Sequence, residues 1–401
     1  MRVRDATTLV SPRQLSSEAY LADPYPLVGI LRENYPCYRD WPGNCFWVTR
    51  YDDVTSTFTD DANFEKRGRG HLSGIGGHDL WSEVSIQQAI ATRADNACPS
   101  ILQALLDELE TSIRAEGSAN LAVQFCARLP VELMAVVLGL APTEDFVRSF
   151  VMMRRAWGWE PNARAQGLQA LEHLAGLISA RMSDGTLADG SLLQVAAALG
   201  ADARDVLRTL VEIDVDTLHG SLANLWCALL SDADSLAMVR ADRRLVKASW
   251  LEALRHSAPV VSTDVFARHE VERFGRLLPE GALLRLSSAA ANRDPRVFDD
   301  PDRFLVERKD LTQREARGQF RADGLPSAIS FGTGRPSKFP AVPEDRPRSP
   351  FAQVRDHAVL ATNAILDRFP TLRLIADSAP PSLRSLRFGE PHTCWSLPVT
   401  V

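Results

Sequence analysis

Glu252-Ala-Leu-Arg255, followed by ANRDPRVFDDPDRF at 291–304, is the pair of stretches on which the reading of this chain turns. The first places an acid and a base one helical turn apart, where side chains at i and i+3 meet. Alone it says little, because such pairs occur on very many helices. The second is dense in Asp, Pro and Arg and reads as a turn-rich connection rather than a helix or strand. A buried-type helix followed at this distance by that connection is a far more specific combination than either part.

Between the two stretches, PVVSTDVF (259–266) and ALLRLSS (282–288) have strand character. Upstream, from about 82 to 255, the pattern is helical almost throughout. ILQALLDELETSI (101–113) and LQALEHLAGLISARM (168–182) repeat apolar residues every three or four positions. Turns are expected at GSAN (117–120), APTED (141–145) and SDGTLADG (183–190). Nearer the start, DPYPLVGILREN (23–34) predicts a Pro-started helix, and CFWVTRYDDVTSTFTD (45–60) a strand leading into a helix at Asp52 or Asp53. GRGHLSGIGGH (68–78) has no strand before it, so it predicts a mobile loop rather than a phosphate cradle. Pro- and charge-rich connections fill 294–350, and a last helix is expected near 351–368.

Of 401 residues, 45% are hydrophobic and 24% charged, which is ordinary globular composition. No linker, repeat or low-complexity tract divides them, so a single unit is expected over 1–401. A net charge of −6 offers no basic field for nucleic acid. No run approaches the ~20 apolar residues of a membrane span. The six cysteines (37, 45, 98, 126, 227 and 394) are scattered with no metal spacing. The expectations are a cytoplasmic protein with no membrane partner, no disulfide framework and no metal.

Taken together, E-x-x-R and ANRDPRVFDDPDRF resemble the cytochrome P-450 superfamily. ADPYP (22–26), FWVTRYDDV (46–54), LLPEGALLRL (277–286) and RFPTLRL (368–374) carry the likeness over nearly the whole chain. The resemblance implies a mainly α, triangular domain with a small β lobe. It gives β-containing parts at about 40–60 and 258–290, a helical core over 82–255, a haem-loop region at 327–350, and a C-terminal helix and tail over 351–401. It also implies a structural triad of Glu252, Arg255 and Arg303.

The family holds its iron in a loop of pattern F-G-x-G-x-H/R-x-C-x-G. This chain reads Phe331-Gly-Thr-Gly-Arg335-Pro-Ser-Lys338-Phe-Pro340, so lysine stands at the cysteine position and proline at the last glycine. A thiolate supplies the electron push that cleaves O–O bonds. A lysine amine is protonated at neutral pH unless buried and gives no such push. The family's propionate-anchoring positions correspond to Glu83, Gln87 and Val265, with Arg268 close by. These departures predict a degenerate, haem-free member without monooxygenase activity and with no cofactor. Haem held through neutral Lys338 or His219 is the minor alternative.

The family's oxygen-activating sequence corresponds to Ile213-Asp214-Val215-Asp216-Thr217. On a continuous helix, Glu212, Asp216 and His219 would share one stripe. Two carboxylates crowded in a dry cavity beside a histidine form an acid–base set near neutral pH. The same residues read equally as a solvated face paired with Arg208. Arg335 and Lys338 add positive charge where iron would sit, and serve either those carboxylates or an acidic ligand. Trp157 and Trp159, in RRAWGWEP (154–161), fall where the family's cavity is lidded and suit a hydrophobic small molecule, a protein contact or plain packing. Two functions follow. One is an auxiliary that stabilises a partner such as a glycosyltransferase in specialised metabolism, as haem-free relatives of the family do. The other is a haem-independent enzyme of natural-product biosynthesis that uses Glu212, Asp214, Asp216, Thr217 and His219 for cyclisation, dehydration or hydration.

Overall fold

A computed structural model describes residues 10–68, 73–157, 160–213, 215–311, 350–376, 378–387 and 390–401, with the backbone alone at Trp157 and Pro350. The principal helices are α1 (Tyr25–Asn34), α2 (Tyr51–Phe58), α3 (Val84–Glu116), α4 (Arg128–Leu138), α5 (Glu144–Met153) and α6 (Pro161–Ser183). They continue with α7 (Ala203–Leu210), α8 (Asp216–Ser231), α9 (Ala233–Ala241), α10 (Leu245–His256) and α11 (Pro350–Arg368). Strands β1 (Cys37–Asp40), β2 (Cys45–Val48), β3 (Phe64–Glu65) and β4 (Ala119–Asn120) lie in the first part of the chain. After them come β5 (Thr263–Ala267), β6 (Val271–Arg273), β7 (Arg276–Leu278) and β8 (Leu283–Leu286). The last four are β9 (Arg373–Leu374), β10 (Leu383–Arg384), β11 (Thr393–Cys394) and β12 (Pro398–Thr400). Internal contacts divide the described residues into two units, one from those within 10–67, 220–311 and 379–395, the other from those within 68–219, 350–378 and 396–401.

The first unit is built on a five-stranded sheet of order β1-β2-β8-β5-β3, in which β2 and β8 run parallel and the other pairs antiparallel. Alternation along the strands sends Val48, Val265, Leu284 and Leu286 into a core closed by Val54 and Phe58 of α2. Trp47 goes to the opposite face, against Tyr20, Val28 and Leu31. Helix α2 begins one residue before the expected acidic start, and Asp52 and Asp53 occupy its first turn, where the helix dipole favours them. Asn224 of α8 ties three chain segments together. Its Nδ2 donates to the carbonyls of Ser257 (2.6 Å) and His392 (3.0 Å), and its Oδ1 accepts from the Cys394 N–H (3.1 Å).

The second unit is helical, with β4, β9 and β12 as a small antiparallel sheet. Helix α3 buries Leu102, Leu105, Leu106, Leu109 and Ile113, the stripe that the three-and-four spacing predicts. It stops at Gly117, whose φ of 76° is a left-handed terminator that glycine adopts without a Cβ penalty. Helix α5 starts where the Thr143 hydroxyl accepts the Phe146 N–H.

From Ile75 onward the glycine-rich segment before α3 is tied down, where the sequence suggests a mobile loop. Its described part is fastened to α7: Arg208 Nη1 donates to the Ile75 carbonyl at 3.0 Å and the His78 N–H to Asp205 Oδ1 at 2.6 Å. The Leu80 N–H reaches Thr209 Oγ1 at 3.0 Å. Gly77 takes φ 104°, and a Cβ there would meet the Arg204 carbonyl at 2.9 Å. Glycine is required at that contact on both counts. Among the described residues no single helix is long and apolar enough to cross a membrane.

Candidate functional site

Glu252 and Arg255 of α10 are fully buried and joined by two bonds, Nε to Oε2 at 2.7 Å and Nη2 to Oε1 at 2.8 Å. Arg255 also donates to the backbone carbonyls of Asn292 (2.9 Å), Pro301 (2.7 Å) and Arg303 (3.0 Å). The third member of the cluster is Arg308, which corrects the assignment to Arg303. Arg308 Nε reaches Glu252 Oε1 at 2.9 Å with its side chain 1% exposed. The Arg303 side chain is 71% exposed and lies only within 3.8 Å of Asp300. Both arginines fall in the same connection, and the chain reverses between them so that only the later one turns inward.

The expected stripe of Glu212, Asp216 and His219 does not form. Helix α7 ends at Leu210 and α8 begins at Asp216, leaving Glu212 in the turn between them, its N–H on the Thr209 carbonyl at 3.2 Å. Valine, isoleucine and aspartate are all poor helix formers, and VEIDVD strings them together where continuity was needed. Glu212 packs against chain rather than cavity, since a Cβ on Gly68 would lie 2.4 Å from its Oε1. Asp214 lies outside the described residues.

Asp216 is engaged by Arg154. The Nη1–Oδ1 distance is 2.8 Å, with 14% of each side chain exposed. Thr217 and His219 are buried behind it. Burial, and after it the Arg154 charge, push the His219 pKa down to about 4, with Asp216 opposing, so the imidazole is neutral. Arg154 was there to be found, because RRAWGWEP begins with it. Trp157 closes a short helix, Arg154–Trp157. Trp159, Arg335 and Lys338 lie outside the described residues, as does all of Phe331–Pro340.

The propionate positions have other employment. Glu83 precedes α3 without capping it, and Gln87 Nε2 donates to the Trp81 carbonyl at 2.6 Å. Val265 is buried in β5, and Arg268 is spent on the Asp61 carbonyl (3.0 Å) and Glu65 (3.2 Å). A second group that only the structure brings together is Arg293, Tyr25, His256 and His392. The Arg293 guanidinium sits 3.4 Å over the Tyr25 ring, and its Nη2 donates to the His256 carbonyl at 2.7 Å. The Tyr25 and His392 rings meet edge-on at 5.9 Å. Burial, followed by the Arg293 charge, lowers the His256 pKa to about 3 and that of His392 to about 4.

No family model matches the chain. It is 26% identical over 381 residues to cytochrome P450 107B1 of Saccharopolyspora erythraea, covering 84% of each chain. It is also 26% identical over 410 residues to the cytochrome P450 monooxygenase PikC of Streptomyces venezuelae, covering 93% of this chain and 91% of that one. Among solved structures, PksS, the cytochrome P450 of the Bacillus subtilis 168 bacillaene polyketide synthase, superposes with a TM-score of 0.71 at 19% identity, covering 98% and 99%. The fold is therefore P450-like, mainly helical with a small sheet portion, and the named relatives support a relationship to the cytochrome P450 superfamily.

That relationship corrects the expectation of a chain with no cofactor. The relatives and structural neighbours are haem-binding cytochromes P450, and they point to haem. The sequence carries Lys338 where the family's loop pattern has cysteine, and that loop lies outside the described residues. All six cysteines are buried at other places in the chain, and burial raises the thiols of Cys37, Cys45 and Cys98.

Proposed function

We propose that this chain is a P450-fold protein of bacterial natural-product biosynthesis that does not perform thiolate-driven oxygenation and stabilises a pathway enzyme such as a glycosyltransferase. The observation that carries the reading is Lys338 at the cysteine position of Phe331–Pro340, with no cysteine elsewhere in that loop. The names of PikC and PksS support the biosynthetic setting. Haem, bound through a nitrogen of Lys338 or His219, would supply ligand-binding or electron-transfer chemistry without the thiolate push.

The chain's own residues favour holding over reacting. Arg154 occupies the Asp216 carboxylate, so that group is not offered to a substrate proton. Glu212 has left the helix face on which an acid–base pair would need it. Both observations weigh against the cyclase or dehydratase alternative and in favour of the auxiliary.

The test has two readouts. Protein purified after expression with a haem precursor is reduced under carbon monoxide, and a nitrogen-ligated type of spectrum is expected. A thiolate-type spectrum would sink the proposed chemistry. In parallel, a glycosyltransferase of the producing pathway is expressed with and without this chain. A several-fold gain in soluble, active transferase is expected, and an unchanged yield and rate would remove the auxiliary role.

A further inference from the structure

Arg39-Asp40-Trp41-Pro42-Gly43-Asn44 closes the hairpin between β1 and β2, at the outer margin of the five-stranded sheet. The loop is rigid by its own chemistry. Pro42 fixes its own φ, Asp40 Oδ1 accepts the Gly43 N–H at 3.0 Å, and the Asn44 N–H donates to the Trp41 carbonyl at 3.2 Å. Asn44 takes a left-handed φ of 46°, which asparagine tolerates. The Asp40 carboxylate is buried and also accepts from Trp47 Nε1 at 3.3 Å. On this loop Trp41 stands 74% exposed, more than any other large apolar side chain among the described residues.

A single exposed apolar side chain means little by itself. What distinguishes Trp41 is its support. The Arg39 guanidinium lies 4.6 Å from the Trp41 ring centroid and 4.7 Å from that of Phe46, a cation shared by two rings. Its Nη1 donates to the carbonyls of Cys45 (3.1 Å) and Asp40 (3.4 Å), and its Nη2 to Asn44 Oδ1 at 2.6 Å. All three acceptors are neutral, and among the described residues Arg39 makes no ion pair. The side chain is therefore fixed while its charge is left without a counter-ion, on a chain whose net charge is −6.

We infer, resting on the auxiliary role proposed above, that Trp41 and Arg39 are the anchor by which this chain docks on its partner enzyme, the indole filling an apolar recess and the guanidinium meeting a carboxylate at its rim. Interfaces concentrate their binding energy in a few Trp, Tyr and Arg side chains. Ordering those side chains beforehand removes part of the entropic cost of docking. Both conditions hold at this tip, where stacking holds the indole and three hydrogen bonds hold the guanidinium. The charge also selects, because an acidic recess attracts the tip and a basic one repels it.

The experiment measures binding of the full chain to the purified glycosyltransferase of the producing pathway by titration calorimetry. W41A should bind roughly 30-fold more weakly, with the parent's melting temperature, and R39Q roughly tenfold more weakly. Added salt should weaken the parent more than R39Q. L199A, at an exposed apolar side chain of the other unit, should bind as the parent does. W41A at parental affinity overturns the inference and leaves the auxiliary role standing, whereas no binding by the parent overturns both. R39Q at parental affinity removes the guanidinium from the anchor. If the parent but not W41A sediments with phosphatidylglycerol vesicles while transferase affinity is unchanged, the tip is a lipid anchor and the inference falls. Should R39Q disturb the hairpin, W41A still decides.

Discussion

Arg308 Nε donates to Glu252 Oε1 across 2.9 Å, and neither side chain reaches solvent. The same carboxylate oxygen accepts from Arg255 Nη2 at 2.8 Å and from the Leu305 N–H at 3.0 Å. One buried anion is thus held by two guanidiniums and a backbone amide. Removing any one partner leaves charge without compensation.

Arg308→Ala and Arg255→Ala should each cost roughly 3–5 kcal/mol, giving protein that is largely insoluble. Arg303→Ala, at an exposed side chain that contributes only its backbone carbonyl, should cost less than about 1 kcal/mol. Solubility of the three single variants, and urea melts of those that stay soluble, compared with the parent, check this. A stability loss at 303 as large as at 308 would falsify the assignment.

Arg154 and Asp216 should behave as an energetic unit. A double-mutant cycle of Arg154→Gln and Asp216→Asn is expected to give a coupling of about 1–3 kcal/mol, favourable in sign. An exposed pair would lose its coupling in molar salt; this one, with 14% of each side chain exposed, should keep most of it. A coupling near zero would return Asp216 to the list of free carboxylates.

The histidines His256 and His392 make stability depend on acid. Their folded pKa values, about 3 and about 4, lie below the ordinary 6.5. Between those limits the unfolded chain binds more protons, so stability rises with pH; it is complete above about 6.5 and declines as pH falls through the window. Each imidazole contributes a slope on the order of 1 kcal/mol per pH unit there. The groups facing His256 are Arg293, Arg255 and Arg308, and His392 faces Arg293 and Tyr25. Urea midpoints from pH 4 to 7 should show a shallower slope in His392→Asn than in the parent, and equal slopes would dismiss the burial of that imidazole.

Gly77 and Gly74 separate backbone strain from collision. Both have positive φ, 104° and 74°, but a Cβ meets the Arg204 backbone only at Gly77. Gly74→Ala should cost about 1 kcal/mol, the left-handed penalty alone. Gly77→Ala should cost more, about 2–4 kcal/mol, because backbone must shift on α7. The order of the two melting temperatures checks it.

Much of the fold was legible because its signals are local and periodic. The α3 stripe, the terminators at 117–120 and 141–145, and the strands at 263–267 and 283–286 follow from spacing and turn chemistry. The pairing of E-x-x-R with the 291–304 connection then pointed to one superfamily. The site was harder to read, for a physical reason. Which of two arginines five residues apart turns inward depends on the path of a loop, and propensity does not encode that path. The break at 211–215 was readable in VEIDVD, had its β-branched and acidic residues been weighed against the apolar rhythm on either side. Arg154 and Asp216 are brought together only by packing of helices far apart in sequence.

Asn224 makes one demand that outlasts the chemistry of any pocket. It must give two N–H donors and one carbonyl acceptor at once, to Ser257, His392 and Cys394. Aspartate lacks the donors, leucine has neither function, and glutamine carries the amide one methylene too far out. Position 224 is therefore nearly closed to mutational exploration. A saturation library screened only for soluble expression should return asparagine almost alone, while exposed neighbours such as Asp234 drift freely.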